Sequence, residues 1–167
     1  METVLGKARQ FLGFYDFDDI EAPQLTRYFI DQRYDAHYDW PPSPWREPEN
    51  GNLRFDRFAT FFVYLTANCT GGSTHFPRVS ADELPHPDAV NATKYEVMPQ
   101  EDKAFDHKTS LAVKPIAGNA VFWVNMKGKA EGHPKTFHAG MPIVEGTKIG
   151  LNIWTRRYLA DDEGMQA

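Results

Sequence analysis

Five short runs of aromatic and β-branched residues place the strongest constraint on how this chain can fold. Each run has the length of a strand and is bounded by glycine, proline, asparagine or aspartate, which favour turns. The runs cover residues 24–30, 58–65, 111–114, 120–125 and 148–156. A chain of 167 residues built mainly from such runs is expected to fold as one domain, a β-sandwich or jelly roll.

The segment before these runs has the periodicity of a helix. Val4, Leu5, Ala8 and Phe11 recur at helical spacing, and Gly13 stands where a helix would end. The pattern predicts an N-terminal helix beside the strands.

Two stretches are expected to be irregular. Residues 41–45 contain three prolines, which lack the amide hydrogen that a central strand must donate. Residues 80–108 are polar and contain further prolines, so we interpret them as a surface insertion.

Composition and charge exclude several classes of function. The net charge of −5 argues against nucleic acid as the main partner, because phosphate binding needs a basic surface. No apolar run is long enough for a membrane span, and the one cysteine, Cys69, excludes an internal disulfide.

Sequons at Asn68 and Asn91 fit the endoplasmic reticulum lumen or secretory pathway. The cytoplasm is the alternative location, because no signal peptide opens the chain, and no oligomeric state is predicted.

The triplet His37-Tyr38-Asp39 is a candidate for metal binding. On a strand, residues i and i+2 point to the same side, so an imidazole and a carboxylate would converge on one point. A second histidine from elsewhere would complete a triad that leaves coordination positions open and suits non-heme iron(II). The triplet alone is common by chance, and the case depends on the rest of the chain.

A histidine and a lysine near the other end of the chain strengthen this interpretation. His138 lies about a hundred residues after His37, and Lys148 follows ten residues later. Lys148 begins an alternating strand and shares its face with Trp154, while the opposite face is apolar and can pack into a core.

Together these residues resemble the iron(II)- and 2-oxoglutarate-dependent dioxygenases, and within them the prolyl 4-hydroxylase catalytic domains. The matching stretches run in order from about residue 25 to 158. They are Arg27-Tyr28 with Tyr34-x-x-His37-x-Asp39, Arg57-x-x-Thr60 with Tyr64-Leu65, Gly71-Gly72-x-Thr74-x-Phe76-Pro77, Val113-Lys114-Pro115 with Gly118 and Phe122-Trp123, and residues 138–154.

The resemblance implies a double-stranded β-helix, a mainly β distorted jelly roll, with iron(II) at one mouth of the barrel. The implied metal ligands are His37, Asp39 and His138. The lysine, tyrosine and threonine that bind the distal carboxylate of 2-oxoglutarate in this family carry over to Lys148, Tyr28 and Thr60. A cation and hydroxyl donors make chemical sense there, because a carboxylate buried in a barrel is otherwise costly.

The resemblance also implies the reaction and further site residues. Tyr34 and Trp154 match residues that line the pocket for substrate and cosubstrate, although aromatic core packing would also explain them. The implied reaction is hydroxylation of an unactivated carbon, at the 4-position of proline in a peptide or protein, with ascorbate as the reductant of iron. The retained carboxylate, Asp39, favours hydroxylation over halogenation.

Three other readings remain open at this stage. The first keeps the chemistry but uses a free amino acid or small metabolite as substrate, and the second is a zinc hydrolase with the same ligand types. The third is a non-catalytic interaction domain. The family usually has a further strand and helix before the matched region, and Met1 falls inside the family's domain. Asn119 and Ile149 depart from the family pattern, which usually has aspartate and tryptophan at these positions.

Overall fold

The computed structural model describes residues 2–13, 19–81, 94–100, 108–128 and 131–159. Helix α1 spans Glu2–Phe11, and short 3-10 helices lie at Pro48–Asn50 and Pro134–Thr136. The strands are β1 (Asp19–Ile20), β2 (Gln24–Tyr28), β3 (Tyr34–His37), β4 (Trp45–Glu47), β5 (Leu53–Gly71), β6 (Thr74–Phe76), β7 (Tyr95–Pro99), β8 (Thr109–Val113), β9 (Ala120–Val124), β10 (Met126–Gly128), β11 (Glu131–Gly132), β12 (His138–Gly140) and β13 (Ile143–Leu159).

Two antiparallel sheets make up most of the structure. The larger sheet has the order β1-β13-β5-β4, with β2 also pairing with β13 and β9 also pairing with β5. The smaller sheet has the order β3-β12-β6-β8-β7, and β10 forms a separate pair with β11. This architecture confirms the predicted mainly β, jelly-roll type of fold.

The core between the two sheets is aromatic. Phe62 and Tyr64 of β5 and Trp123 of β9 come from the larger sheet, and Phe76 of β6 comes from the smaller one. The Phe76 and Trp123 rings meet edge to face with centroids 5.3 Å apart. Such pairs are favourable beyond the area they bury, and they hold together the two sheets that carry the site residues.

Helix α1 covers the outer face of the larger sheet, which confirms the predicted N-terminal helix. Ala8 and Leu12 are buried against Phe61, Leu151 and Ile153. Burying the side chain of Leu12 contributes about 1.5–3 kcal/mol to stability. Within the described residues, no helix has the length and apolar character needed to cross a lipid bilayer.

Three expectations from the sequence need correction. The segment 80–108 contains an edge strand, because β7 pairs with β8, while residues 82–93 and 101–107, with the sequon at Asn91, lie outside the described residues. Strand β5 has 19 residues and β13 has 17, so both extend well beyond the predicted runs. Strand β3 ends at His37, so Asp39 lies in the bend that follows and not on the strand itself.

Candidate active site

Two strands of the smaller sheet bring together the three predicted metal ligands. β12 pairs with β3 in a register that places His138 opposite His37, and their ring centroids are 4.4 Å apart. Asp39 Oδ1 lies 3.6 Å from His37 Nε2, and Asp39 Oδ2 lies 3.9 Å from His138 Nε2. The three ligand atoms all lie within 4.8 Å of one another. A single metal ion can therefore contact all three residues.

Main-chain carbonyl groups set the orientation of both imidazoles. The Nδ1 atom of His37 is 2.8 Å from the carbonyl oxygen of Asp35, and Nδ1 of His138 is 2.8 Å from that of Thr136. A carbonyl oxygen only accepts, so each neutral ring carries its proton on Nδ1. The Nε2 lone pairs are then left for a metal, as is usual for metal-binding histidines.

The pKa of each of the three ligands is shifted from its ordinary value. Burial by itself raises the pKa of Asp39, but hydrogen bonding with His37 and Thr60 and the nearby His138 lower it below its ordinary value. Burial also lowers the pKa of His37, yet the contact with Asp39 raises it overall. Burial lowers the pKa of His138. A metal must therefore displace a proton from His37 in mildly acidic solution, so its affinity should fall as the pH falls.

Thr60, expected as a ligand of 2-oxoglutarate, lies behind Asp39. Its side chain is fully buried and its Oγ1 donates a hydrogen bond of 2.7 Å to Asp39 Oδ2. The Nδ2 atom of Asn125 in turn donates a hydrogen bond of 2.8 Å to Thr60 Oγ1. The hydroxyl group is thus committed to the carboxylate ligand, and Thr60 does not line the adjoining cavity.

That cavity has a volume of about 350 Å³ and joins the triad to Lys148. The Lys148 side chain is only 1% exposed, and its Nζ donates a hydrogen bond of 2.5 Å to the carbonyl oxygen of Gly72. Burial lowers the pKa of Lys148 from 10.5 to about 8. Among the described residues, no carboxylate lies within 4.0 Å of this ammonium group. A buried cation without a counter-ion is costly, and an anionic ligand in the cavity would relieve that cost.

Tyr28 and Thr74 are two of the hydroxyl-bearing residues that line the same cavity as Lys148. Tyr28 lies opposite Lys148 in the β2–β13 pairing, and Lys148 Nζ is 4.8 Å from the centroid of its ring. Thr74 of β6 also lines the cavity, and its hydroxyl is 2.7 Å from that of Tyr64. Thr74 lies within the Gly-Gly-x-Thr motif but was not among the residues predicted to bind 2-oxoglutarate. Tyr28 and Thr74 therefore bring hydroxyl-bearing side chains to the cavity that contains Lys148, which Thr60 does not line.

A glycine makes room for the aromatic floor of the cavity. The Phe62 ring, which lines the cavity, packs so closely on Gly150 that a Cβ atom there would overlap the ring. Gly150 is one of the residues that share a strand face with Lys148. A side chain at position 150 would push Phe62 towards the space that a ligand of Lys148 must occupy.

Both predicted pocket residues line the cavity. Tyr34 is 52% exposed and its ring centroid is 4.5 Å from that of His37, so it stands at the rim beside the triad. Trp154 is buried, and the guanidinium group of Arg57 stacks on its ring at 3.8 Å. Arg57 also forms two hydrogen bonds with the carboxylate of Glu21, at 2.8 and 3.0 Å. The sequence analysis did not assign Arg57 to the cavity wall.

The remaining described histidines stay apart from the triad. His75 Nε2 lies 2.8 Å from the Oγ of Ser110, and His133 Nδ1 accepts a hydrogen bond from the amide of Lys135. In the part of the chain that the structure describes, the triad is the one group of three or more such residues positioned to share a metal ion.

Comparison with known proteins identifies the family. The profile of the 2OG-Fe(II) oxygenase superfamily matches residues 23–156, which include the triad, the cavity and Lys148. The chain belongs to this superfamily. The match agrees with the donor set, because two neutral imidazole nitrogens and one carboxylate oxygen on one side of a metal fit iron(II).

The most similar relatives include prolyl 4-hydroxylases. Prolyl 4-hydroxylase 2 of Arabidopsis thaliana is 32% identical over 135 residues, which are 80% of this chain and 40% of that protein. The human prolyl 4-hydroxylase subunit alpha-1 is 28% identical over 149 residues, 87% of this chain and 22% of that protein. The chain thus spans less than half the length of these two curated relatives.

A solved structure agrees with these matches. The viral collagen prolyl hydroxylase of Paramecium Bursaria Chlorella virus-1, in its 2OG complex, superposes with a TM-score of 0.64 at 25% identity, over 93% of this chain and 72% of that chain. Together the relatives and this structure confirm the resemblance to prolyl 4-hydroxylase catalytic domains.

Proposed function

We propose that this chain is an iron(II)- and 2-oxoglutarate-dependent dioxygenase that hydroxylates proline at the 4-position in a peptide or protein. The observation that carries this proposal is the buried ammonium of Lys148 in the cavity that also opens on the triad. A site for zinc hydrolysis needs the triad but has no use for a buried cation facing the same cavity. A dicarboxylate that chelates the metal at one end needs a cation at its other end.

Each residue of the site has a role in this proposal. His37, Asp39 and His138 hold the metal on one side and leave its other positions open. Lys148 receives the distal carboxylate of 2-oxoglutarate, with Tyr28 and Thr74 as hydroxyl donors. When bound, the metal and 2-oxoglutarate supply the chemistry that uses dioxygen to insert a hydroxyl group and releases succinate and carbon dioxide. The protein fixes the geometry and excludes water from the inner part of the cavity.

The substrate assignment rests on the rim and on the relatives. Tyr34 presents an exposed aromatic ring beside the triad. Arg57 and Trp154 add a second surface, in which a guanidinium group stacks on an aromatic ring. A proline ring can pack on such aromatic surfaces while peptide carbonyls accept hydrogen bonds from polar groups nearby. The relatives named above are prolyl hydroxylases, which favours a peptide over a free amino acid.

Two further parts of the proposal concern the cellular setting. Ascorbate would keep the iron in its ferrous form between turnovers. A lumenal or secretory location is proposed from the sequons, of which the one at Asn68 is exposed on β5 and therefore accessible to glycosylation.

The direct test is a turnover assay on the purified chain with iron(II), 2-oxoglutarate and ascorbate. Proline-containing peptides and free amino acids are supplied in parallel, and succinate and a mass gain of one oxygen are measured. We expect peptides to stimulate succinate formation and to gain the oxygen on proline. Hydroxylation of a free amino acid alone would overturn the peptide assignment. The absence of 2-oxoglutarate turnover with every substrate, in protein shown to bind iron(II), would overturn the enzyme class.

A further inference from the structure

The carboxylate of Asp39 is held by a buried chain of hydrogen bonds that runs away from the cavity. Thr60 Oγ1 lies 2.7 Å from Asp39 Oδ2, and Asn125 Nδ2 lies 2.8 Å from Thr60 Oγ1. Thr60 and Asn125 are both 0% exposed, so water cannot replace either donor. These hydrogen bonds join Thr60 of β5 and Asn125, the residue after β9, to the bend that carries Asp39.

The number of available protons fixes the direction of this chain. An ionised carboxylate only accepts hydrogen bonds, so the single hydroxyl proton of Thr60 must point to Asp39. The Thr60 oxygen must then accept its second hydrogen bond, and among the contacts it makes only the amide NH₂ of Asn125 can donate it. The amide orientation therefore follows from the chemistry of its neighbours, and exchanging its nitrogen and oxygen would place two acceptors against each other.

Asn125 also contacts the segment that leads to the third ligand. Its main-chain carbonyl accepts a hydrogen bond of 2.7 Å from the amide of His133, and its own amide donates one of 2.8 Å to Phe58. The Oγ1 atom of Thr136 donates a hydrogen bond to the main-chain carbonyl of His133. The main-chain carbonyl of Thr136 in turn contacts Nδ1 of His138 and orients its ring. One residue thus reaches Asp39 through its side chain and the His138 segment through its main chain.

We propose that Asn125 and Thr60 form a positioning relay that sets the orientation of Asp39 as a metal ligand, and that Thr60 does not bind 2-oxoglutarate. This proposal rests on the proposed function. Thr60 and Asn125 do not line the cavity, so they act through Asp39. By holding Oδ2, the relay turns Oδ1 towards His37 and leaves the carboxylate rigid before a metal arrives.

The test measures metal affinity without turnover, by titrating cobalt(II) into the metal-free protein and following its visible absorption, with no 2-oxoglutarate present. Thr60→Val keeps the shape of the side chain and removes the hydroxyl, and Asn125→Leu keeps a side chain of similar size and removes the donor without adding a charge. We expect each to weaken cobalt binding by about 10- to 100-fold, the range typical of residues that orient metal ligands. Thr60→Ser, which keeps the hydroxyl, should bind within a few-fold of the natural chain.

Thr155 provides a matched control. It is also 0% exposed and lies on the neighbouring strand, but its hydroxyl contacts the main chain of Ala59 and not Asp39. Thr155→Val should therefore leave cobalt affinity unchanged, whatever it does to stability. An equal loss in Thr155→Val and Thr60→Val would assign the effect to core packing and overturn the relay.

The apparent Michaelis constant for 2-oxoglutarate separates the two roles considered for Thr60. At saturating metal, Thr60→Val should leave this constant within about twofold if the hydroxyl serves Asp39. A large rise in this constant with unchanged cobalt affinity would overturn the relay and make Thr60 a cosubstrate ligand. If the natural chain bound no divalent metal, the proposed function would fail first. Normal metal binding in the natural chain and in Thr60→Val alike would refute the relay alone.

Discussion

At pH 7, replacing Lys148 with methionine should make the ligand-free protein more stable and remove its ability to bind 2-oxoglutarate. The ammonium group is buried beside the cavity, and the Gly72 carbonyl is its hydrogen-bond acceptor. Methionine has a similar length and no charge to desolvate. Opposite effects of one substitution on stability and on ligand binding are expected of a residue whose charge is kept for a ligand and not for the fold.

The size of the effect follows from the pKa of Lys148, which burial lowers from 10.5 to about 8. Below pH 8 both the folded and the unfolded chain carry the charge, and the folded chain bears the full cost of burying it. Above pH 8 the folded chain loses the proton first, so its stability rises with pH until the unfolded chain also titrates. At pH 7 the cost is about 3 kcal/mol, and at pH 10 it is about 1 kcal/mol.

Two losses in the variant reduce the net gain. The Gly72 carbonyl is left without its donor, which costs about 1–3 kcal/mol, and the contact of the cation with the Tyr28 ring is also lost. The loss at Gly72 persists at every pH because a neutral amine can also donate the hydrogen bond. The contact with Tyr28 acts only on the charged form, so its pH dependence is part of the pKa of Lys148. The difference in unfolding free energy between Lys148→Met and the natural chain should therefore fall by about 2 kcal/mol between pH 7 and pH 10.

Urea unfolding at a series of pH values measures this difference, with Lys127→Met as the control. Lys127 is a half-exposed lysine beside Glu131, and its replacement should change stability by less than about 0.5 kcal/mol at every pH. A second experiment adds 2-oxoglutarate in the presence of zinc(II), with 2-oxoglutarate at 100 times its own dissociation constant. The 2-oxoglutarate should stabilise the natural chain by about 2.7 kcal/mol and the variant by much less. A difference that stayed constant from pH 7 to pH 10 would refute the charge argument, and equal stabilisation by 2-oxoglutarate would refute the assignment of Lys148.

Further substitutions test other parts of the site. Asp39→Ala or His138→Ala should abolish 2-oxoglutarate turnover because two ligands cannot hold the metal, and near-normal turnover in either purified variant would contradict the triad. Thr74→Val should raise the apparent Michaelis constant for 2-oxoglutarate about 10-fold, as expected for a lost hydrogen bond to a charged group; an unchanged constant would remove Thr74 from the site. Gly150→Ala should lower the unfolding free energy by about 1–3 kcal/mol because Phe62 must move, and Phe62→Leu in the same chain should restore part of it; unfolding curves that match the natural chain would show that the ring is not confined.

Strand alternation predicted part of the site correctly. The pattern in residues 148–156 separated Lys148 and Trp154 from an apolar face, and the structure places Leu151 and Ile153 of that face against helix α1. The family resemblance assigned Thr60 to 2-oxoglutarate, but the sequence could not identify the residue that Thr60 contacts. Its partner, Asp39, lies 21 residues away in the chain, and only the folded sheet determines that contact.

The short strands could not be predicted from local sequence. β3, β6 and β12 have only three or four residues each, too few to show a period of two. Their existence depends on pairing with one another, which is a property of the whole sheet. For this reason the sequence does not show that Thr74 lies on a strand, or that the strand before Asp39 ends at His37.

Strand β3 lies at the edge of the smaller sheet and has β12 as its neighbour there. A four-residue edge strand with mostly exposed side chains has little to hold it in place. A metal ion bound between His37 and His138 would link β3 to β12 at one of the two residue pairs that join these strands. Amide hydrogen exchange in residues 34–37 should therefore slow more than elsewhere when the ion binds, so the site would strengthen the part of the sheet that presents it.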